Sequence, residues 1–513
     1  MMRPQLLAEV VTQRGAHATP TPSMAAKFLI KTPIQAILSS NDRPIGECRH
    51  LQERTMNTRS DPNSVATDQR QTAQTGPINS GDPIEPPQRS GSGTRSLLSN
   101  MGAILLGRMM RKIIRTGTLR VTLPDGQVVG SGEGVPLVAV RVVTQATLWR
   151  IMRNPDLALG EAYMDRSLVM EVGTIHDFLD LVMSNLKMSR GHGMMRAHAW
   201  MRQIVRRLIQ HNPVATAKAN VAHHYDLSDT LYALFLDAGR QYSCAYYLSP
   251  TDTLEQAQDQ KKRHVAAKLL LRPGDRVLDI GSGWGGLGLH LAQTADVNVC
   301  GLTLSVEQHG YAQNSAAQAG LADRVQFHLR DYRHETGRYE RIVSVGMFEH
   351  VGIGHYREYF NKVAGLLTED GVALIHTIGT ARGPTTASPW LNKYIFPGGY
   401  APALSEILPA IERAGLYVAD VEVLRLHYAY TLRAWRDRFM AERARAIEVY
   451  DERFCRMWEF YLAYCEAGFR HSGLVVFQIQ LCKRIDAVHL TRDYIAASEC
   501  LQATGVTQQP AAK

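Results

Sequence analysis

The sequence predicts an α/β fold, a mostly parallel seven-stranded sheet preceded by a small α+β domain. Three observations carry that expectation: seven short apolar runs beyond about residue 215, helical stretches between the early ones, and a glycine-dense turn directly after the first. The runs are RVLDI, VNVCGLT, RVQFHL, RIVSVGM, GVALIHTI, VEVLRLH and LVVFQIQL, and no internal repeat is visible.

Ahead of the sheet, residues 1–95 are rich in Pro, Gln, Ser, Asn and Thr and carry few aromatics. Such a segment buries too little apolar area to offset its chain entropy and is predicted to be disordered. Order is expected to begin near Leu97, with the helical spacing of LLSNMGAILLGRMMRKIIRTG followed by the strand-like TLRVTLPDG and LVAVRVV. A second basic amphipathic stretch, MMRAHAWMRQIVRRLIQHNP, covers 194–213. The resulting division is 1–95, a small domain over 96–195 and a large domain over 196–505.

A hydrophobic content of 45% over 513 residues supports two globular domains plus tails. The net charge of +9 favours an anionic partner, which charge alone leaves open between nucleic acid, a phospholipid surface and a phosphorylated small molecule. Seven widely spaced cysteines without a CxxC pair point to free thiols in a reducing, cytoplasmic setting, and no metal site is expected. No run of 18 apolar residues suggests a spanning helix, and MMRPQLLAEVVTQRG lacks the apolar core of an export signal.

The turn after RVLDI reads GSGWGGLG, placing Gly281, Gly283, Gly285 and Gly286 between a buried strand and a helix. Glycine there lets main chain approach a ligand closely. Gly281, Gly283 and Gly286 also satisfy the dinucleotide spacing, so NAD or FAD has to be weighed. Two details favour S-adenosylmethionine instead. Asp279 stands two residues before the first glycine, giving D-I-G-x-G-x-G, and the second strand runs into GLTLSVEQ without the acid that dinucleotide enzymes place on the ribose.

From about residue 100 onward the chain resembles the cyclopropane-fatty-acyl-phospholipid synthase family. The likeness rests on LALGEAYMD, HYDLSDTLYALFLD, YSCAYY, the glycine turn, GLTLSVEQ, GMFEHVG, YIFPGG, HYAYTLRAW and LTRDYI, in that order. It implies a class I S-adenosylmethionine methyltransferase fold and transfer of a methylene carbon to a cis double bond of a phospholipid acyl chain. In such chemistry a carbocation forms on the chain, and a base must take a proton from the carbon just delivered before water traps the cation. The site therefore needs a dry cavity with aromatic faces or fixed anions.

In this family the base is thought to be a bicarbonate ion. By motif matching its cage would be Cys244, Glu349, His376 and Tyr428, with a donor or shared proton needed beside the Glu349 carboxylate. The resemblance also places Tyr242 and Ser243 against the methionine part of the cofactor, Asp279, Gly281, Ser282, Gly283 and Gly285 in the turn beneath it, Thr303, Ser305 and Gln308 near the ribose, and Asp331 and Tyr332 near adenine. Cys465 matches a cysteine long regarded as catalytic, but its apolar and aromatic neighbours favour packing.

Each cage residue has a plainer reading: a core histidine, a first-turn acid, a small buried thiol. Against that, Glu349, His376 and Tyr428 all follow or end strands, at the sheet edge that also holds the glycine turn. Trp390, Tyr394 and Phe396 around YIFPGG would wall an acyl channel, although YAPALSEI departs from the Leu-Pro-Ser that relatives often carry there.

The rival readings are an olefin methyltransferase giving a methyl-branched or methylene product without ring closure, and a non-catalytic lipid or nucleotide module. Nucleic acid is disfavoured for want of an Asn-Pro-Pro-aromatic motif. The expected partners are an unsaturated phospholipid and the anionic inner face of a membrane, contacted peripherally through the basic stretches. Oligomeric state stays open, a homodimer included.

Overall fold

The computed structural model describes residues 97–188 and 229–504. The extension 1–95 and the basic stretch 194–213 lie outside them. Helix α1 (Leu97–Ile113) leads into β1 (Gly117–Thr122), β2 (Val128–Glu133) and β3 (Leu137–Val142). There follow α2 (Gln145–Arg153), capped by the Thr144 side chain, α3 (Pro155–Met164), which opens on proline, β4 (Leu168–Val172) and α4 (Ile175–Met188). The four strands form one sheet in the order β2-β1-β3-β4, with β1 and β3 parallel and the outer pairs antiparallel. In β1 Leu119 and Val121 alternate inward, as a half-buried strand requires.

The large domain begins with α5 (Asp229–Phe235) and α6 (Leu254–Leu269), the latter started by a Thr253–Gln256 capping box. Its sheet is then laid down as β5 (Arg276–Ile280), α7 (Gly286–Ala295), β6 (Asn298–Thr303), α8 (Val306–Gln318), β7 (Val325–Leu329), β8 (Tyr339–Val345), α9 (Tyr356–Leu366) and β9 (Leu367–Thr380). Then come α10 (Pro389–Tyr394), α11 (Leu404–Arg413), β10 (Tyr417–Leu424), α12 (His427–Ala441), α13 (Arg443–Val449), α14 (Glu452–His471), β11 (Leu474–Cys482) and α15 (Asp493–Thr504).

The strand order is β10-β11-β9-β8-β5-β6-β7, and only β11 runs against its neighbours. All seven apolar runs named from the sequence are strands of this sheet. One face packs Leu278, Ile342 and Ile375 against Phe360 and Ile411, the other Val277, Val343 and Leu374 against Val265 and Leu291. Burial on both faces explains the near-continuous burial along the central strands β5, β8, β9 and β11, whereas the edge strands β7 and β10 alternate or lie partly exposed. The core of the small domain is continuous with α12 and α14: α3 and α4 pack on α14, whose Trp458, Tyr461 and Leu462 are buried. No helix among the described residues is long and apolar enough to cross a membrane.

Candidate active site

At the carboxyl ends of β5, β6 and β8 lies a cleft of about 1190 Å³, its open mouth included. It sits where β6 and β8 leave opposite sides of β5, the switch point at which open α/β sheets take ligands. Gly281 (φ 86°) brings the turn so close to Met347 that an added Cβ would stand 2.8 Å from the Met347 Cβ. At Gly283 (φ 55°) an added Cβ would meet nothing within 4 Å, so bare main chain faces the cleft there. Gly285 and Ser305 lie off the cleft wall. Gly285 starts α7, where a side chain would strike the Phe327 ring at 2.6 Å, and Ser305 caps α8 by accepting from the Gln308 amide at 3.3 Å.

Tyr242, Ser243, Asp279, Ser282, Thr303, Gln308, Asp331 and Tyr332 do line the cleft. The Thr303 hydroxyl donates to Gln308 Oε1 at 3.1 Å, leaving the Gln308 amide nitrogen for a ligand. Arg333 grips Asp331 through two bonds of 2.9 and 2.7 Å; burial would raise that carboxyl, and the guanidinium holds it below the ordinary range. Asp279 is buried, its Oδ2 has no hydrogen-bond partner among the described residues, and desolvation lifts its pKa to about 7 against the pull of Lys261. The buried Ser282 hydroxyl likewise has no hydrogen-bond partner among the described residues.

Lys261 was not singled out by the sequence reading. Wholly buried on α6 and lining the cleft, it donates to Gln241 Oε1 at 2.6 Å and Ser243 Oγ at 3.1 Å, and burial lowers its pKa to about 8. A signal existed: Gln258, Lys261, His264 and Lys268 recur at helical spacing and form a buried polar stripe on α6. Also missed were the cleft residues Arg240, Arg330, Arg333, Met347 and His350. Trp284 of the glycine turn is oriented by an indole bond to Asp229 at 2.9 Å, and Arg240 pairs with the same carboxylate.

The expected cage residues lie behind the cleft rather than on its wall, joined to it by their chain neighbours. Glu349 is buried in the short turn that follows β8, one residue from His350. Its Oε1 accepts from the Ile378 amide at 2.6 Å, which ties it to β9 two residues past His376. Its Oε2 is buried with no hydrogen-bond partner among the described residues. Desolvation raises the Glu349 pKa to about 7, opposed by the main-chain amides of Ile378 and Glu349 and by the Thr377 hydroxyl. His376 is buried and its pKa falls to about 3, so the ring is neutral.

A second set of bonds ties the segment that carries Cys244 to the helix that carries Tyr428. The Ala245 amide donates to Thr431 Oγ1 at 3.0 Å and the Tyr247 amide to His427 Nδ1 at 3.0 Å, strapping the 242–247 segment along α12, which carries Tyr428. Burial pushes the Cys244 thiol well up. The Cys465 thiol is pushed up to about 12, also by burial, which leaves it no thiolate to attack with. It lies one turn of α14 beyond Tyr461, whose hydroxyl meets that of Tyr242 at 2.8 Å.

Around these groups the rings are dense. Tyr232 lies 4.8 Å from Trp284 and 5.3 Å from Tyr242, Tyr242 stacks on Trp435 at 5.1 Å, and Phe396 of YIFPGG stands 5.7 Å from Tyr461 and 6.2 Å from His350. Aromatic faces of this kind exclude water and favour positive charge.

A profile of the mycolic acid cyclopropane synthetase family matches residues 213–479, and one described as a domain of unknown function matches 106–190. The cyclopropane-fatty-acyl-phospholipid synthase of Escherichia coli K12 is 37% identical over 349 residues, 68% of this chain and 88% of the relative. The tuberculostearic acid methyltransferase UfaA1 of Mycobacterium tuberculosis is 34% identical over 418 residues, 76% of this chain and 93% of its own length. Among solved structures, the cyclopropane synthase MmaA2 from M. tuberculosis superposes with a TM-score of 0.50 at 32% identity, over 53% of this chain and 98% of that one. Coclaurine N-methyltransferase, at 18% identity and a TM-score of 0.52 over 63% of this chain and 99% of that one, shares the fold. With the glycine turn, the switch-point cleft and these likenesses together, the chain belongs to the mycolic acid cyclopropane synthetase family and is an S-adenosylmethionine-dependent enzyme that transfers methyl or cyclopropane carbon to lipids.

Proposed function

We propose that this enzyme delivers a methylene carbon to a cis double bond in the acyl chain of a phospholipid and closes a cyclopropane ring, with bicarbonate as the base. The observation that carries the reading is the buried carboxyl of Glu349, which faces no cation among the described residues, its Oε2 having no well-formed hydrogen bond and only the main-chain amides of Ile378 and Glu349 and the Thr377 hydroxyl acting on it. At a pKa of about 7 this carboxyl is substantially protonated near neutrality, so it donates a hydrogen bond to an anion that a carboxylate would repel. In this reading that proton is the one a carboxyl beside bicarbonate requires.

The cleft fits S-adenosylmethionine on the same grounds. Asp279 Oδ2 and Ser282 Oγ await polar partners, the Gly283 main chain is bare, and Gln308 keeps a free donor for a ribose hydroxyl. When bound, the cofactor supplies an electrophilic methyl on sulfur; the S–C electron pair stays on sulfur as the alkene π pair forms the first new C–C bond. Tyr242 and Trp284 bound the cleft and exclude water, and their faces favour the positive charge on the chain. Glu349, His376, Tyr428 and Cys244 would hold the bicarbonate, which would supply a base for the proton that the delivered carbon loses as its C–H pair closes the second ring bond.

The phospholipid substrate rests on the E. coli relative's name and on α1. Met101, Ile104 and Leu105 are exposed on one side of that helix and run into exposed Arg108, Arg111 and Lys112, the chemistry of an anionic bilayer surface. The same reading has the protein working peripherally at the inner, cytoplasmic face of a membrane. A second product is favoured by one observation, the longer match to a tuberculostearic acid methyltransferase, which would leave a branch instead of a ring. Proton NMR of lipid recovered from vesicles of unsaturated phospholipid treated with enzyme and cofactor decides between them. Upfield ring methylene signals are expected; a methyl branch supports the second product, and unaltered lipid overturns both.

A further inference from the structure

β9 and β11 pair antiparallel with His376 directly opposite Gln478. Gln478 is wholly buried, with its Nε2 3.2 Å from His376 Nδ1 and its Oε1 2.9 Å from the ammonium of Lys268, itself wholly buried on α6. The Lys268 ammonium also bonds to Glu422 and lies 3.8 Å from Asp420. Burial lowers its pKa, and these two carboxylates act against that to keep it charged. Glu422 in turn is held far below the ordinary carboxylate range: burial would raise it, but bonds from His264 and Lys268 prevail.

The chain of donors leaves one arrangement. An ammonium only donates, so the Gln478 carbonyl must face Lys268. The amide nitrogen, which also only donates, must then face His376, and Nδ1 must be the acceptor. The neutral ring then carries its proton on Nε2, the nitrogen away from Gln478.

We infer that Lys268 and Gln478 are positioning residues that lock His376 as the neutral Nε2–H tautomer, so that the imidazole presents a donor rather than a base to the anion held in the site. This rests on the reading of His376 as part of the proposed bicarbonate cage. The device suits the chemistry, because a neutral N–H grips the anion without competing for the proton that the anion is there to receive. A free Nε2 lone pair would repel it. Burial comes first in keeping the ring neutral, and the cations of α6 that face it, Lys261, Lys268 and His264, act in the same direction; Glu422 of β10 opposes them.

The test uses the whole protein labelled with ¹⁵N-histidine, the His376 signals being identified by their loss in His376→Asn. A ring protonated on Nε2 and bare on Nδ1 across the neutral range is expected; a proton on Nδ1, or a mixture, overturns the proposal. Gln478→Glu offers a carboxylate that accepts from both Lys268 and Nδ1–H, moving the proton to Nδ1. We expect its kcat on unsaturated phospholipid to fall at least about 100-fold at neutral pH, the scale of a wrong-tautomer imidazole. KM for S-adenosylmethionine should hardly change. Activity should return as pH falls and the ring becomes imidazolium, which donates from both nitrogens. A moved proton with unchanged kcat, or a loss that acid pH does not recover, overturns it. Wild-type protein with the expected tautomer but no transfer to lipid would remove the functional reading and leave the lock standing.

Discussion

Glu349 accepts a 2.6 Å bond from the main-chain amide of Ile378, two residues past His376 on β9. One carboxyl oxygen is thereby fixed to the strand while the other is buried without a well-formed hydrogen bond among the described residues. The strain of that arrangement is electrostatic, and it makes Glu349 measurable from two directions.

The first is stability. The folded-state pKa of about 7 lies above the ordinary value of 4.5, so the contribution of protonated Glu349 is fully present at acid pH and lost as pH rises through about 7. Glu349→Gln keeps an acceptor for Ile378 and removes the titration. Urea unfolding should find the variant level with wild type at acid pH and more stable above neutrality by on the order of 3 kcal/mol. The second is activity, which should fall about 100-fold or more, as for other proton-handling groups. Equal pH dependence in the two proteins would show that Glu349 is an ordinary carboxylate.

The two glycines of the turn should respond differently to alanine. Gly281→Ala forces a Cβ against Met347 at positive φ, so it should lower thermal stability as well as cofactor affinity. Gly283→Ala meets no protein atom and should cost only about 1–2 kcal/mol of backbone strain, yet weaken S-adenosylhomocysteine binding in calorimetry, because the methyl enters ligand space. Full affinity in Gly283→Ala would move the cofactor elsewhere.

Cys465→Ser is expected to stay within a few-fold of wild-type kcat, since a thiol with a pKa near 12 contributes packing rather than a nucleophile. Abolished turnover with unchanged stability would restore the catalytic reading of this thiol.

Replacing Ile104 and Leu105 together with serine removes exposed apolar area from α1 without touching its buried face. Co-sedimentation with anionic vesicles should drop, and wild-type binding should weaken as salt is raised. Binding indifferent to both changes would place the lipid contact on another surface.

How much of this was legible in the sequence follows from where the information sits. The central strands of the large sheet, β5, β8, β9 and β11, are buried on both faces and announce themselves as apolar runs, and the turn glycines are demanded by positive φ and close approach. Strand β2, VVGSGE, was not legible: it is glycine-rich, lies at the sheet edge and buries little. Partnerships across long sequence separations were equally hidden. Nothing local to Lys268 tells that Gln478 waits 210 residues on, nor does Asp229 announce the indole of Trp284. The polar stripe on α6 could have been noticed, but a polar stripe ordinarily marks the solvent face of a helix. Only the packed α6 shows it turned inward, toward the cleft and β11.

The central claim is tested most directly by S-adenosylmethionine carrying a fully deuterated methyl, incubated with the enzyme and vesicles of cis-unsaturated phospholipid and followed by mass spectrometry and NMR of the recovered lipid. Ring closure after loss of a single deuteron to the bound base predicts a cyclopropane methylene that retains both remaining deuteriums. A lipid carrying the intact trideuteromethyl group as a branch, or no deuterium at all, would contradict it.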